Sequence, residues 1–288
     1  MRQTKITQAN RHNSDHWNPS FIHRNPLFWP ISPAYAELNV KQHIWPSLED
    51  YNQCLGKCTN KNGKNISFVT QNLHFDTFED EYEPRIYRSG QVQTRENNWH
   101  DFFQVMVWKT FPKTKSLLNK VHYDAAIKRH KDNIKKRGNQ ENFVTLFDEC
   151  GAIVLSSSKG YLDMVKNFKW RAFFVENKSK FGKAIDCAVF GHAMYEKALT
   201  PYIGMTAHCL LLLVDETYFT FNVKQKNNYI DTLLSDHINS IKDLNTKCLT
   251  PLPLLGIPGW HPDQSHLFYE NQSYFRTGRR KNNNQNMC

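Results

Sequence analysis

The segment Asn98–Trp108 reads NWHDFFQVMVW, and the rest of the chain is best understood from it. Beyond its polar entry the segment is apolar on almost every side, which predicts a helix that is buried over most of its surface, with Asn98 as its N-cap. Pro112 ends this helix. A second helix is predicted from about Lys113 to Ile134. Its apolar stripe is narrow and the remaining circumference is basic or polar, so we expect it to pack on one side only.

The chain beyond Gly138 changes from helical patterning to short strand-like runs. The strand candidates are Phe143–Phe147, Ala152–Leu155, Trp170–Val175, Ala184–Phe190 and Thr206–Val214. The first two are separated by Asp148, Glu149, Cys150 and Gly151, which is typical of a hairpin turn. A short helix is predicted over His192–Leu199. Helices followed by short strands predict a single α+β domain in which an N-terminal helical segment packs on a small mixed β-sheet.

The length of 288 residues and the 40% share of hydrophobic residues suit a globular domain with a substantial core. We expect a polar, partly ordered arm over residues 1–30, one α+β domain over residues 31–275 and a basic polar tail over residues 276–288. No stretch approaches the roughly 18 apolar residues that a membrane span requires, and the first 30 residues lack a signal-peptide core. These patterns predict a cytoplasmic protein.

The net charge of +10 is concentrated in two places. The segment Lys109–Arg137 holds ten Lys and Arg residues against two Asp, and the tail adds four more basic residues. One interpretation is a solvated helix face that keeps the protein soluble. The other is a binding surface for nucleic acid, a phosphorylated ligand or another anion. The residues of that second interpretation are Lys113, Lys120, Lys128, Lys131, Arg279 and Arg280.

Five sequence motifs in a fixed order resemble one known family. They are EPRIYRSGQVQTRENNWHDFFQVMVWKTFPKTKSLLNKVH (Glu83–His122), the segment Thr145–Val154, FGHAMYE (Phe190–Glu196), LPLLGIPGW (Leu252–Trp260) and YFR (Tyr274–Arg276). Together they resemble the bacterial domain of unknown function 3025, over about residues 30 to 281. The resemblance implies no reaction and no catalytic residues. Gln104 stands where that family often has Asn, so the amide here reaches one methylene further.

Three clusters of polar residues interrupt apolar surroundings and are candidates for chemistry. His100 and Asp101 lie at the entry of the buried helix, His122 borders the apolar stripe of the second helix, and His192 and Glu196 share one face of a short helix. The structural interpretation is a capping carboxylate and buried histidines with ordinary hydrogen bonds. The enzyme hypothesis is that His100, Asp101, His122, His192 and Glu196 converge in one pocket for hydrolysis, by acid–base chemistry or through a divalent metal ion.

Asp148 and Glu149 are first interpreted as turn residues, because carboxylates are common in turns. A metal-ligand role for them requires histidines brought close by the fold. The sequence contains no HExxH, GxSxG or GxxxxGK[ST] motif, so no reaction follows from a local pattern. Three functions stay open at this point: a hydrolase-like pocket, a binding module for an anionic ligand, and a scaffold for other proteins.

Overall fold

Helices surround a four-stranded mixed β-sheet in the computed structural model, which describes residues 16–71 and 77–278. The helices are α1 (Ser32–Ala36), α2 (Leu48–Leu55), α3 (Tyr82–Ser89), α4 (Trp99–Thr110), α5 (Pro112–Lys131), α6 (Asn139–Cys150), α7 (Lys159–Lys166), α8 (His192–Lys197), α9 (Val223–Ser240) and α10 (His266–Tyr269). The strands are β1 (Ser67–Thr70), β2 (Gln91–Thr94), β3 (Gly151–Ser156), β4 (Ile185–Val189), β5 (Thr206–Leu213) and β6 (Thr250–Pro253). These elements confirm the predicted α+β class.

The main sheet has the strand order β4-β3-β5-β6 and combines both pairing directions. Strand β3 is buried along its whole length, parallel to β5 and antiparallel to β4, and β6 is antiparallel to β5. Strands β1 and β2 form a separate parallel pair. No helix within residues 16–71 and 77–278 combines the length and the hydropathy needed to cross a membrane.

Helix α4 is the buried helix that the sequence predicts, with Asn98 as its N-cap. The Asn98 side chain accepts a hydrogen bond from the backbone N–H of Asp101 at 3.1 Å. Five of its side chains are fully buried: Phe102, Phe103, Val105, Met106 and Val107. Helix α8 packs against α4. The polar first turn of α4 therefore lies beside α8 at the edge of the core.

Residues 16–31 also pack against the core, although the sequence assigns most of them to a polar arm. Asn18 and Asn25 each precede a proline and cap one turn of 3-10 helix, because each side chain accepts from the N–H two residues later. Phe21 and Phe28 are fully buried. Single turns of this kind have no helical or strand periodicity, so the hydrophobic pattern of the sequence does not reveal them.

Two predicted strands are wrong. Phe143–Phe147 belongs to α6, which begins after Gly138 and runs directly into β3, so Asp148 and Glu149 lie in the last turn of a helix and not in a hairpin turn. Arg171–Glu176 forms a π-helical turn where a strand was predicted. In both cases a short apolar run is compatible with either structure, and the contacts of the fold decide between them.

Helix α5 takes its N-terminal cap from another helix, which leads to a prediction about stability. Phe111 has no capping side chain, and the buried carboxylate of Asp231 in α9 accepts from the backbone N–H groups of Lys113 at 2.9 Å and Thr114 at 2.8 Å. Asp231→Ala leaves both donors unpaired, so the free energy of unfolding should fall by about 2 kcal/mol. Urea denaturation measures this. Exposed Asp236 on the same helix is the control, because Asp236→Ala should change stability by less than about 0.5 kcal/mol.

Candidate metal centre

Two histidines from distant parts of the sequence meet beside the core. His100 lies in the first turn of α4, and His192 is the first residue of α8. Their Nε2 atoms are 2.9 Å apart, and the two rings are nearly perpendicular, at 83°. His192 is buried, whereas the side chain of His100 is 26% exposed. His100 and His192 therefore form a contact between α4 and α8. Solvent reaches this contact from the side of His100.

The other nitrogen of each ring faces a carboxylate. Nδ1 of His100 is 2.9 Å from Oε2 of Glu196, which lies one turn after His192 on the same face of α8. Nδ1 of His192 is 3.6 Å from Oδ2 of Asp148, longer than a hydrogen bond, and no atom of the described residues bonds to it. Each imidazole is thus oriented by a carboxylate behind it, as metal-binding histidines commonly are.

This arrangement leaves two lone pairs facing each other. A carboxylate only accepts, so neutral His100 carries its proton on Nδ1 and presents an unprotonated Nε2. The carboxylate behind His192 favours the same tautomer for that ring. Two unprotonated Nε2 atoms 2.9 Å apart repel unless a cation lies between or beside them. The 2.9 Å contact is accounted for by any of three states: a His192 tautomer whose Nε2–H donates to Nε2 of His100, an added proton between the rings, or a metal ion beside them.

Glu149 supplies a third ligand for such an ion. Its Oε2 is 3.6 Å from Nε2 of His192, and one atom each from His100, Glu149 and His192 lie within 4.8 Å of one another. Zinc binds histidine nitrogen at about 2.0–2.1 Å, and two nitrogens 2.9 Å apart can both lie at that distance from one ion. Two histidines and one glutamate form a known set of ligands for catalytic zinc.

The protonation of the cluster suits metal binding. Burial lowers the pKa of His192 from 6.5 to about 3, although Asp148 opposes this, so the ring is neutral near pH 7. Burial opposes the charge on His100 as well, but the hydrogen bond that its Nδ1–H donates to Glu196 and the nearby charge of Glu149 raise the pKa of His100 above its usual value. Burial raises the pKa of Glu149. The neutral His192 is a nitrogen ligand at physiological pH.

A buried ion pair holds Asp148 beside His192. Nζ of Lys115, in the first turns of α5, is 2.6 Å from Oδ1 of Asp148, and the Lys115 side chain is only 5% exposed. Burial disfavours the ionised form of Asp148, but Lys115 and then His192 outweigh it and hold the pKa of that carboxyl below its usual range. The carboxylate that orients His192 is therefore charged because a lysine lies on its other side.

Gly191 allows the backbone of α8 to meet the end of α6. A Cβ at this position would lie 2.4 Å from the backbone oxygen of Glu149 and 2.5 Å from the backbone nitrogen of Gly151. Real Cβ atoms do not approach backbone so closely, and backbone cannot rotate away as a side chain can. A glycine immediately before His192 is thus a condition for bringing His192 and Glu149 together.

The cluster opens into a cavity of about 440 Å³. His100, Glu149 and His192 line it, and so do Asp101 and His122. Its further walls are mostly polar or aromatic and include Tyr82, Gln104, Trp108, Lys115, Asn119 and Arg137. The cavity lies within the range of volumes that hold small ligands. A small molecule in it would therefore lie next to the two histidines.

The structure brings together three of the five residues predicted to carry catalysis. His100, His192 and Glu196 are in direct contact through the hydrogen bonds described above. Asp101 lines the same cavity but is bound to the Arg95 guanidinium at 2.8 and 3.0 Å, and His122 lies on the cavity wall. The sequence did not single out Glu149 as a ligand. The indication that the sequence did contain was the adjacent acidic pair Asp148 and Glu149. A metal-ligand role for that pair required histidines brought close by the fold.

The basic residues of the alternative function lie on the other side of α5. Lys113, Lys120, Lys128 and Lys131 share one face of the helix by its 3.6-residue period, and the cavity residues Lys115, Asn119 and His122 share the opposite face. Nζ of Lys113 donates to Thr232, and Lys120 pairs with Asp124. Arg279 and Arg280 lie outside the described residues. An anion surface at these lysines would thus be separate from the cavity.

Comparison with known proteins gives one match. Residues 66–279 match a family model described as "Protein of unknown function (DUF3025)". The match covers about three quarters of the chain and contains all the residues of the His–carboxylate cluster. No curated protein and no solved structure matches the chain.

Proposed function

The chain belongs to the DUF3025 family, and we propose that it is a hydrolase with one divalent metal ion held by His100, Glu149 and His192. The observation that carries the proposal is the meeting of the two Nε2 atoms at 2.9 Å with a carboxylate behind each ring. An ion accepts both lone pairs and leaves both Nδ1–H groups to the carboxylates. It therefore removes the repulsion that two rings protonated on Nδ1 have without it.

Each residue around the ion has a role in this proposal. Glu196 and Asp148 orient the two imidazoles, and Lys115 keeps Asp148 charged. Three protein ligands leave a coordination position for water or substrate on the cavity side. A divalent ion held by these residues would supply Lewis-acid chemistry: it would lower the pKa of bound water to about 7 and polarise a substrate oxygen. In the reaction, the water oxygen bonds to the substrate carbon or phosphorus, the leaving-group bond breaks, and the leaving group takes the proton.

Two other assignments of the cluster, a metal-free acid–base pair and an iron site, imply different chemistry. A proton shared between the rings would support acid–base hydrolysis without a metal ion. Fe(II) is also bound by two histidines and one carboxylate, in enzymes that activate oxygen. We favour zinc because the set of two histidines and a glutamate with an open position is the one used by hydrolytic zinc enzymes.

Metal content and zinc affinity test the proposal. The protein is purified with a tag that contains no histidine, analysed for zinc and iron, stripped with a chelator and titrated with zinc by calorimetry. We expect one zinc ion per chain. Glu196→Gln still accepts from Nδ1 of His100 but lacks the negative charge, so zinc affinity should fall by about 10- to 100-fold. Exposed Glu216 provides the control, since Glu216→Gln should bind zinc as the wild type does.

The absence of saturable zinc binding would contradict the metal site and would leave the two metal-free states of the pair, the Nε2–H tautomer of His192 and the shared proton. One iron per chain in place of zinc would contradict the hydrolytic assignment altogether. Two finer points stay predictions from the sequence. These are the cytoplasmic location and an anion surface at Lys113, Lys120, Lys128 and Lys131, for which retention on DNA or RNA at low salt is the test.

A further inference from the structure

The cavity wall away from the metal ligands carries polar atoms that lack partners. Nε1 of Trp108, Oδ1 of Asn119 and Nδ1 of His122 are buried and have no hydrogen bond within the described residues. All three residues line the cavity. Buried polar groups in native proteins are almost always bonded, so an unbonded group in a cavity wall indicates a molecule that bonds to it. We refer to these residues as the Trp108–Asn119–His122 wall.

The hydrogen-bonding character of this wall is defined by its neighbours. Nδ2 of Asn119 donates to the backbone oxygen of Glu83 at 3.0 Å and to Oε2 of Glu83 at 2.7 Å. Because both partners are acceptors, the amide cannot be flipped, and Oδ1 is the atom left over as an acceptor. The Trp108 indole N–H can only donate. His122 can do either, so the wall offers at least one donor and one acceptor.

The charges around the wall favour a ligand group that is partly negative beside Trp108 and partly positive beside Asn119. Nζ of Lys115 lies 5.3 Å from the centre of the Trp108 ring, so a cation bonded there would be repelled. The Glu83 carboxylate touches Asn119, so an anion next to Oδ1 of Asn119 would be repelled in the same way. An amide meets these conditions without a net charge, because its oxygen accepts from the indole and its N–H donates to Asn119.

The wall is separate from the reacting centre. Trp108 follows His100 by eight residues on one helix, a rise of about 12 Å along its axis. Asn119 and His122 lie about one turn apart on α5, on the face that also carries Lys115. A substrate could extend from the Trp108–Asn119–His122 wall to the metal ligands. The group that the wall recognises would then be some distance away from the bond that is cleaved.

We infer that the Trp108–Asn119–His122 wall recognises a neutral amide group of the substrate. The amide oxygen accepts from the Trp108 indole N–H, and the amide N–H donates to Oδ1 of Asn119. The inference rests on the proposed function for the statement that the ligand is a substrate. The recognition itself uses no metal ligand and no bond cleavage, so the two can be tested apart.

Three probes of similar shape test this recognition on the full chain. Benzamide has the acceptor and the donor, acetophenone has only the acceptor, and benzoate is an anion without an N–H. Each is titrated into 15N-labelled protein, with and without zinc, while the indole N–H resonance of Trp108 is followed by NMR. That resonance is assigned by its disappearance in Trp108→Phe. We expect benzamide to shift it saturably and to bind at least about tenfold more tightly than the other two probes.

Trp108→Phe keeps an aromatic ring but removes the donor, so benzamide affinity, measured by calorimetry for the variants and the wild type, should fall about tenfold. Trp170→Phe is the matched control, because Trp170 lines a different cavity and its N–H already donates to the backbone of Arg276. Equal affinity for the three probes, or no benzamide shift at Trp108, would overturn the inference. Since the comparison of probes uses the wild type and reads binding alone, its failure would leave the zinc titration unaffected, and the reverse also holds.

Discussion

His192→Ala should weaken zinc binding by about 10²–10³-fold, the largest effect on metal binding that we expect from any single substitution. Zinc sites in small domains gain about 10–16 kcal/mol from about four ligands, so one ligand accounts for about 3–4 kcal/mol. His192 is the buried ligand, and burial keeps its ring neutral near pH 7. Its loss removes one of the two nitrogens that face the ion. Calorimetric titration of the metal-free protein measures the change in the dissociation constant.

Thermal denaturation gives a second readout of the same substitution. An ion that binds only the folded state raises its stability, so zinc should raise the melting temperature of the wild type but not of His192→Ala. His237 on α9 is half-buried and does not line the cavity, so His237→Ala is a control for the loss of a histidine. Wild-type zinc affinity in His192→Ala would exclude the site as we have assigned it.

Lys115→Met should lower the free energy of unfolding by about 3–5 kcal/mol. Lys115 and Asp148 form a buried ion pair, and methionine is of similar length but carries no charge. The Asp148 carboxylate would then remain buried without its cation, which is the costly way to break such a pair. Urea denaturation of the metal-free protein measures the loss without a contribution from bound zinc.

Two further variants identify the cause of that loss. Lys113→Met removes an exposed lysine two residues earlier on the same helix, and we expect a change of less than about 0.5 kcal/mol. Lys115→Met combined with Asp148→Asn should recover part of the stability, because no unpaired charge is left. A loss below about 1 kcal/mol in Lys115→Met would mean that Asp148 is adequately solvated without the lysine.

Two residues of the cluster, His192 and Glu196, could be predicted together from helical periodicity. His192 and Glu196 are four residues apart and so share a face, and both reach His100. His100 was predicted at the entry of the buried helix because a polar residue there interrupts an apolar run. Their contact across 92 positions of the chain depends on the packing of α4 on α8, which no local pattern contains.

Glu149 was missed for an electrostatic reason. The carbonyl end of a helix disfavours negative charge, so two adjacent carboxylates are expected in a turn and not in the last turn of α6. The fold places Lys115 and two histidines around them and offsets this cost. An acidic pair at a position that the helix dipole disfavours indicates that positive charge lies nearby in the fold.

Strands could be predicted where a fully buried strand gives a continuous run of apolar residues in the sequence. Strand β5 was the clearest of these and lies in the interior of the sheet, between β3 and β6. The strand order was not predictable, because each pairing joins segments that are far apart in the sequence. The apolar run of α6 was mistaken for a strand because its five residues are too few to distinguish the two periodicities.

The packing of residues 16–31 bears on how much of the chain is needed for folding. The family match begins at residue 66, yet the ring of Trp17 stacks on Trp99 at 5.1 Å and Phe21 packs edge-on against Phe103 at 5.4 Å. Trp99 and Phe103 belong to the helix that carries His100. A protein trimmed to the matched range would expose this aromatic surface to water and become prone to aggregate. The packed core of this chain therefore begins well before residue 66, where the family match starts.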